Sequence, residues 1–263
     1  MKTLELFAGS QSFTKVAKEF GFETFTSDIS DIKGINYVVD ILNFDVNKVP
    51  FVPDVIWASP DYATWSKASG CLPFDSKSLE PKTEKATLAF VVIDKTIEII
   101  NYYLNLNKDL KFYIENPQSR LQKYLQAGTL FSPIPRLVVI DQCQYGREYK
   151  KTTHIFTNDM SWKIRQRCQG TDKCNHLKSI KNIGDTHRNK KDILSSLYYV
   201  RAKIPYQLCF DILSSLTKNI TEVDLAVFEQ KEQKPPKKKV CKVLKYRLQK
   251  AYKTTKNYQA SYY

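Results

Sequence analysis

The chain has 263 residues and a formal net charge of +14, a length that suits one α/β domain with an insertion better than two full domains. It contains no run of about 18 apolar residues and no N-terminal signal-peptide pattern, and its six cysteines form no dense disulfide framework. We therefore expect a protein that is not secreted and that works in the cytoplasm or nucleus with reduced thiols.

The first 60 residues alternate short apolar runs with a helical pattern. Strands are predicted at Leu4–Phe7, Glu23–Ser27, Tyr37–Val39 and Asp54–Ala58, and a helix at Ser12–Phe20. This alternation predicts a parallel sheet covered by helices, a class of fold that binds ligands at the carboxyl ends of its strands.

The pattern continues with a long apolar helical stripe and then weakens. A helix is predicted at Lys82–Leu104, strands at Lys111–Ile114 and Arg136–Ile140, and a last helix from Ile204 through Leu216. We accordingly divide the chain into an α/β domain at 1–160, a small basic recognition insertion at 161–203, a helix returning to the core at 204–217 and a basic Lys/Tyr-rich tail at 218–263.

The basic charge is concentrated in the second half of the chain. Residues 1–160 contain 18 basic and 19 acidic side chains, residues 161–203 contain 11 and 3, and residues 218–263 contain 12 and 4. A near-neutral segment followed by two basic ones is typical of a small-molecule site joined to a phosphate-contacting surface. The alternative is a solvated lysine-rich surface, and for the tail also a nuclear-import-like basic run.

Polar groups follow the predicted strands where a nucleotide-like ligand would bind. The first strand is followed by a short loop containing Gly9 and then by a helix, so backbone and helix N-terminus can approach a ligand. Asp28 and Asp40 close the second and third strands, where carboxylates can accept hydrogen bonds from a ribose and an adenine amino group. The alternatives are an ordinary strand-to-helix turn and solvated loop carboxylates.

Several segments occur together in a specific order: LELFAGSQSFTKVAKEFGFETFTSDIS, VVDIL, PDVIWASPDYATWS, FYIENPQSRL, CQYGREYKKTTHIFTN and IPYQLCFDIL. This ordered set resembles the phage and virus branch of the cytosine-C5 DNA methyltransferases over about residues 3 to 216. The resemblance implies a Rossmann-like S-adenosylmethionine-dependent methyltransferase fold, base flipping, and double-stranded DNA as partner inside a host cell. The cofactor-binding residues it implies are Phe7, Ala8, Gly9, Ser10, Ser12, Phe13, Asp28, Ile29, Asp40 and Ile41.

The segment Ser59-Pro60-Asp61-Tyr62 departs from that family, because Tyr62 stands where the family has the cysteine that attacks C6 of cytosine. A phenol with a pKa near 10 is a poor replacement for a thiolate. The same segment resembles the Asp/Asn/Ser-Pro-Pro-aromatic motif of methyltransferases that act on exocyclic amino groups of adenine or cytosine. That chemistry needs acceptors for the amino hydrogens, here Ser59 and the Pro60 carbonyl, and an aromatic ring to hold the flipped base.

Glu115 matches the family glutamate that grips the Watson–Crick edge of the base, and with residues 59–62 it completes the predicted catalytic set. We expect transfer to N6 of adenine or N4 of cytosine. One alternative is C5 methylation with another nucleophile, for which Cys71 is the nearby thiol. The other is a catalytically inactive homologue that binds DNA.

The basic residues Arg147, Lys150, Lys151, Arg165 and Arg167 are predicted to contact DNA. Cys168, Cys174 and His176 form a Cys-x5-Cys-x-His pattern inside the insertion, which Cys143 or His187 could complete as a zinc site. Because the spacing is looser than Cys-x2-Cys, unligated residues in a recognition loop are favoured and no metal is assigned. The sequence does not indicate an oligomeric state.

Overall fold

The computed structural model describes residues 1–61, 65, 75, 80–119, 121–125, 135–170, 174, 176 and 202–217. Residues Met1–Ser215 form one compact unit. Most of the predicted insertion and the whole predicted tail lie outside the described residues, so the domain boundaries stay predictions. Within the described part, no helix is both long enough and apolar enough to cross a membrane.

A seven-stranded sheet forms the centre of this unit. Its strands are β1 (Lys2–Leu6), β2 (Glu23–Asp28), β3 (Tyr37–Val38), β4 (Val55–Ala58), β5 (Lys111–Pro117), β6 (Arg136–Asp141) and β7 (Thr152–Thr157). The spatial order is β3-β2-β1-β4-β5-β7-β6, with β1 to β5 parallel and β7 antiparallel to both β5 and β6. The expected Rossmann-like α/β fold is confirmed, and its strand order reverses between β1 and β4.

Helices cover both faces of the sheet. They are α1 (Ser12–Glu19), α2 (Glu84–Leu106), the short α3 (Leu121–Leu125) and α4 at 206–217. Phe13 of α1 stacks on Trp57 of β4 with ring centroids 5.0 Å apart. Because side chains alternate along a strand, Ile56 points to the opposite face, where it joins Ile93 and Ile97 of α2 in the buried core.

The ends of the elements have local causes. Strand β1 stops at Leu6, one residue before the predicted end, because Phe7 adopts a left-handed φ of 58° that a strand cannot continue through. Helix α2 begins at Glu84 because the Thr83 hydroxyl accepts a hydrogen bond from Ala86 N at 3.1 Å, an N-cap that places the helix start two residues after the predicted one.

Candidate active site at the carboxyl edge of the sheet

Strand register places four predicted site residues at one level of the sheet. Leu6 pairs with Ser27 on β2 and with Ala58 on β4, and Ala58 pairs with Ile114 on β5. The residues that follow in each strand direction are therefore neighbours along the carboxyl edge: Phe7, Asp28, Ser59 and Glu115. They lie on both sides of the point where the strand order reverses, which is where open α/β sheets bind ligands.

The loop between β1 and α1 is held in shape by its own backbone. Ala8 is buried and its N–H donates to Ser27 O at 2.9 Å, while Gln11 N–H donates to Ala8 O at 2.8 Å. The hydroxyl oxygens of Ser10 and Ser12 lie 2.7 Å apart, and Ser12 Oγ also accepts from Ile204 N at 3.2 Å. The loop is therefore a tight turn, fixed by hydrogen bonds, that leads directly into α1.

Asp28 and Gly9 face each other across the edge of this loop. A Cβ atom on Gly9 would lie 3.3 Å from Asp28 Oδ2, so the glycine leaves room for the carboxylate. Asp28 Oδ1 accepts a hydrogen bond from Ser30 N at 2.8 Å. Next to it, the Ile29 side chain is 68% exposed, an apolar surface beside a hydrogen-bond acceptor.

Asp40 and Ile41 lie beyond the end of β3, at the start of a one-turn 3-10 helix (Ile41–Asn43). The Asp40 carboxylate caps this turn by accepting from Leu42 N at 3.0 Å. Ile41 is buried in the core and fixes the turn to the sheet. Asp40 thus has a structural role that is independent of any ligand.

The segment after β4 is anchored from both sides. Ser59 Oγ accepts from the Trp57 indole N–H at 2.8 Å, and the Asn116 amide nitrogen lies 3.4 Å from the Pro60 carbonyl oxygen. Asn116 is itself fixed because its Oδ1 accepts from Ser119 Oγ at 2.8 Å. Pro60 is buried, whereas Asp61 is exposed. Tyr62 and Cys71, the other residues predicted for this region, lie outside the described residues.

Glu115 is buried and has two donors. Lys151 Nζ lies 3.5 Å and Gln142 Nε2 lies 3.3 Å from Glu115 Oε1, and Gln142 also donates to Thr153 Oγ1 at 2.9 Å. Burial lowers the pKa of Lys151, although the charge of Glu115 opposes that shift. Lys151 is one of the residues predicted to contact DNA, and in the structure it lies next to Glu115; its contact with DNA stays a prediction.

The remaining basic residues of the predicted DNA surface differ in their surroundings. Arg165 pairs with Asp211 and Arg167 with the buried Asp141, each with Nε to carboxylate distances of 2.6 Å. Arg147 donates to the Tyr149 hydroxyl and to the Lys203 carbonyl. Lys150 is exposed. Their contact with DNA stays a prediction.

Glu5 is a buried carboxylate near the loop between β1 and α1 that the sequence does not single out. It lies on β1, and its carboxylate accepts hydrogen bonds from Thr14 N at 2.7 Å and Phe13 N at 3.4 Å, the first turn of α1. Burial raises the pKa of Glu5, while these hydrogen bonds oppose that shift. The available signal was a single acidic residue inside the apolar run of β1, which needs a partner when it is buried.

No family model matches the chain, and no curated protein matches it either. Among solved structures, a triple mutant of DNMT2 from Spodoptera frugiperda is similar, with 16% identity and a TM-score of 0.39 over 64% of this chain. The Dnmt2 methyltransferase of S. pombe is similar with 14% identity and a TM-score of 0.37 over 73% of this chain. The matched regions span 53% and 62% of those two proteins.

Proposed function

We propose that this chain transfers a methyl group from S-adenosylmethionine to an exocyclic amino group of a DNA base, at N6 of adenine or N4 of cytosine. The observation that carries the proposal is the alignment of Phe7, Asp28, Ser59 and Glu115 on adjacent strand ends. Two of these residues belong to the predicted cofactor site and two to the predicted base site. Their common level lets a methyl donor and an acceptor meet at one edge of the sheet.

The loop and β2 end fit an adenosyl ligand. Asp28 offers a carboxylate for ribose hydroxyls, and the missing Cβ of Gly9 keeps the space beside Asp28 Oδ2 open. The exposed Ile29 side chain can cover one face of an adenine ring. When bound, S-adenosylmethionine supplies the methyl group to be transferred, while these residues only bind and orient it.

The segment after β4 fits an amino acceptor. A base amino group needs hydrogen-bond acceptors that fix its two N–H bonds with the nitrogen lone pair toward the methyl donor. Ser59 Oγ and the Pro60 carbonyl are such acceptors, and contacts with Trp57 and Asn116 hold them in place. Tyr62 follows directly in the sequence and would stack on the flipped base.

Glu115 would hold the base edge. Both of its described donors reach the same oxygen, Oε1, which leaves Oε2 to accept an N–H from the base. Lys151 supplies the positive charge that allows a carboxylate to remain buried at the site. Such a group is expensive to keep in the interior, so its retention favours a site that reads a base over an inactive binder.

Direct transfer of a methyl group to a base amino group requires no covalent bond between enzyme and base. The positions of the described cysteine thiols agree with such a mechanism. Among the described residues, Cys209 is fully buried in α4, and Cys143, Cys168 and Cys174 lie together after β6 and β7. None of these four belongs to the segment after β4. One rival is C5 methylation with another nucleophile, for which Cys71 is the nearby thiol in the sequence; an inactive DNA-binding homologue is the second rival.

The test is product identification. Purified full-length protein is incubated with unmethylated duplex DNA and S-adenosylmethionine carrying a labelled methyl group, and the digested nucleosides are analysed by mass spectrometry. We expect labelled N6-methyladenine or N4-methylcytosine, and no label with the Glu115→Gln variant. Labelled 5-methylcytosine would overturn amino transfer, label found only in an RNA control would overturn DNA as substrate, and DNA binding without any product would favour the inactive homologue.

A further inference from the structure

Four side chains with metal-binding atoms converge outside the proposed active site. Cys143 lies in the 3-10 helix Gln142–Tyr145 that follows β6, and Cys168, Cys174 and His176 lie in the segment after β7. The three sulfur atoms and a ring nitrogen all lie within 4.8 Å of one another, and Cys168 Sγ lies 3.7 Å from His176 Nδ1. The cysteines are free thiols, and none of the four side chains is fully exposed.

The protein framework brings Cys168 to Cys143. The buried carboxylate of Asp141 accepts from the backbone N–H of Cys168 at 3.0 Å and from Arg167 Nε at 2.6 Å. On the other side of Cys143, the Tyr145 hydroxyl accepts from Arg165 N at 3.1 Å. The two residues on either side of Cys143 thus hold residues 165–168 against the 3-10 helix.

A donor from the same 3-10 helix reaches the third sulfur. Gln144 Nε2 lies 3.4 Å from Cys174 Sγ. Metal-bound thiolates commonly accept such hydrogen bonds, which help to orient them. The cluster therefore has two anchored thiols and a third that is oriented by its surroundings.

We propose that Cys143, Cys168, Cys174 and His176 bind one structural zinc ion. Three thiolates and one imidazole form a closed tetrahedral ligand set for Zn²⁺ and leave no position for water or substrate. Zinc–sulfur bonds of about 2.3 Å place tetrahedral sulfur ligands roughly 3.8 Å apart, so a cluster that lies within 4.8 Å needs only a small contraction. Binding displaces the three thiol protons into solvent and changes no oxidation state.

The metal would act as a clip between distant parts of the chain. It joins the connection between β6 and β7 to a segment that begins 25 positions later, which is also tied to this connection by hydrogen bonds at Asp141, Gln144 and Tyr145. A zinc ion there fixes the start of the predicted recognition insertion relative to the connection between β6 and β7, which includes Lys151. This role does not depend on methyl transfer.

The experiment measures metal directly in the full-length chain. Protein produced in zinc-supplemented medium is dialysed against metal-free buffer that contains no chelator and analysed by inductively coupled plasma mass spectrometry, without DNA or cofactor. We expect about one zinc per chain in the native protein and less than about a tenth of that in Cys168→Ser and His176→Ala. Cys209→Ala is the matched control, because it removes a described cysteine outside the cluster and should keep the metal.

A second measurement identifies the ligands. Cobalt(II) added to the metal-free native protein should give the visible absorption bands of a tetrahedral cobalt–thiolate complex, and His176→Ala should lose or shift them. Native protein without bound zinc and without a cobalt spectrum would overturn the proposal, even if the cysteine variants fail to fold. A disulfide among the three cysteines in freshly purified native protein, detected by peptide mass spectrometry, would overturn it as well.

Discussion

Lys151 Nζ lies 3.5 Å from Glu115 Oε1, and both side chains are almost completely shielded from solvent, at 12% and 5% exposed. Removing one partner of a buried ion pair destabilises the folded protein, because the remaining charge stays buried without compensation. The pair belongs to the proposed base site. Because its contribution to stability changes with pH, measurements at several pH values separate that contribution from an effect on activity.

Glu115→Gln should lower the free energy of unfolding by about 3 kcal/mol near neutral pH, since it removes the carboxylate whose charge favours the buried Lys151 ammonium. Burial already lowers the pKa of Lys151 in the folded chain, and losing Glu115 lowers it further. Below that lowered pKa, the folded state carries the full cost of the buried charge. As the pH rises through it, the unfolded chain binds more protons than the folded one, so the variant regains stability.

Urea denaturation of the native chain and Glu115→Gln between pH 7 and pH 10 measures this recovery. The double variant Glu115→Gln/Lys151→Met is the control, because it has no charge at this position and should show no recovery. A deficit in Glu115→Gln that stays constant over the whole range would mean that Lys151 does not carry the cost.

Asp28→Asn should weaken S-adenosylmethionine binding by roughly 10- to 100-fold, the loss expected for a hydrogen bond to a charged group. Folding should be little affected, because the side chain is only half-buried and the described contact to Ser30 N can be kept by an amide oxygen. Isothermal titration calorimetry measures the affinity, with the exposed Asp31→Asn as matched control. Equal affinities in the two variants would remove Asp28 from the cofactor site.

Tyr62→Ala should abolish methylation, by more than about 100-fold in kcat/KM, if the ring holds the flipped base through stacking. Tyr62→Phe should keep most of the activity because stacking does not need the hydroxyl. Single-turnover rates with labelled cofactor compare the two variants. Normal methylation rates in Tyr62→Ala would exclude the stacking role. A loss of activity in Tyr62→Phe equal to that in Tyr62→Ala would show that the hydroxyl, and not the ring, is required.

Lys150→Ala and Arg167→Ala should fail in different ways. Lys150 is exposed, so its loss should leave the melting temperature unchanged and reduce the slope of log Kd against log salt by about one. Arg167 is 47% exposed but pairs with the buried Asp141, so its loss should lower stability by about 1 kcal/mol after solvent screening is taken into account. Fluorescence anisotropy with duplex DNA and thermal melting distinguish the two effects; an unchanged salt slope in Lys150→Ala would remove it from the DNA surface.

The parallel part of the sheet could be predicted from the sequence because its signals are local. Strand β4 is a short apolar run followed by Ser59, and β2 is a short run that ends at Asp28; parallel pairing of both strands with β1 places these polar residues at one edge. The carboxyl-edge position of Asp28, Ser59 and Glu115 follows from the same rule. Strand β7 was not predicted, since Thr152–Thr157 lacks a clear alternation and forms its antiparallel pairs with distant partners.

The surroundings of the basic residues could not be predicted from the sequence, because they too depend on the pairing of distant strands. Nothing local distinguishes Lys150, which is exposed, from Lys151, which is buried against Glu115. The difference arises because Lys151 is positioned by the start of β7, which pairs with β5 and so passes beside Glu115. Likewise, the selection of Cys143 as the fourth member of the cysteine–histidine cluster depends on the Asp141 and Tyr145 contacts, which only the folded chain shows.

The buried carboxylate of Glu5 helps to fix the loop between β1 and α1 before a ligand binds there. The Glu5 carboxylate accepts a hydrogen bond from Thr14 N in the first turn of α1. At the other end of the loop, Ala8 N–H donates to Ser27 O. A loop tied at both ends is already in its final shape before anything binds, so a ligand that docks there loses little affinity to ordering the backbone. Association at this edge should then proceed in a single kinetic phase, at a rate set by diffusion and access instead of by a slow rearrangement of the loop.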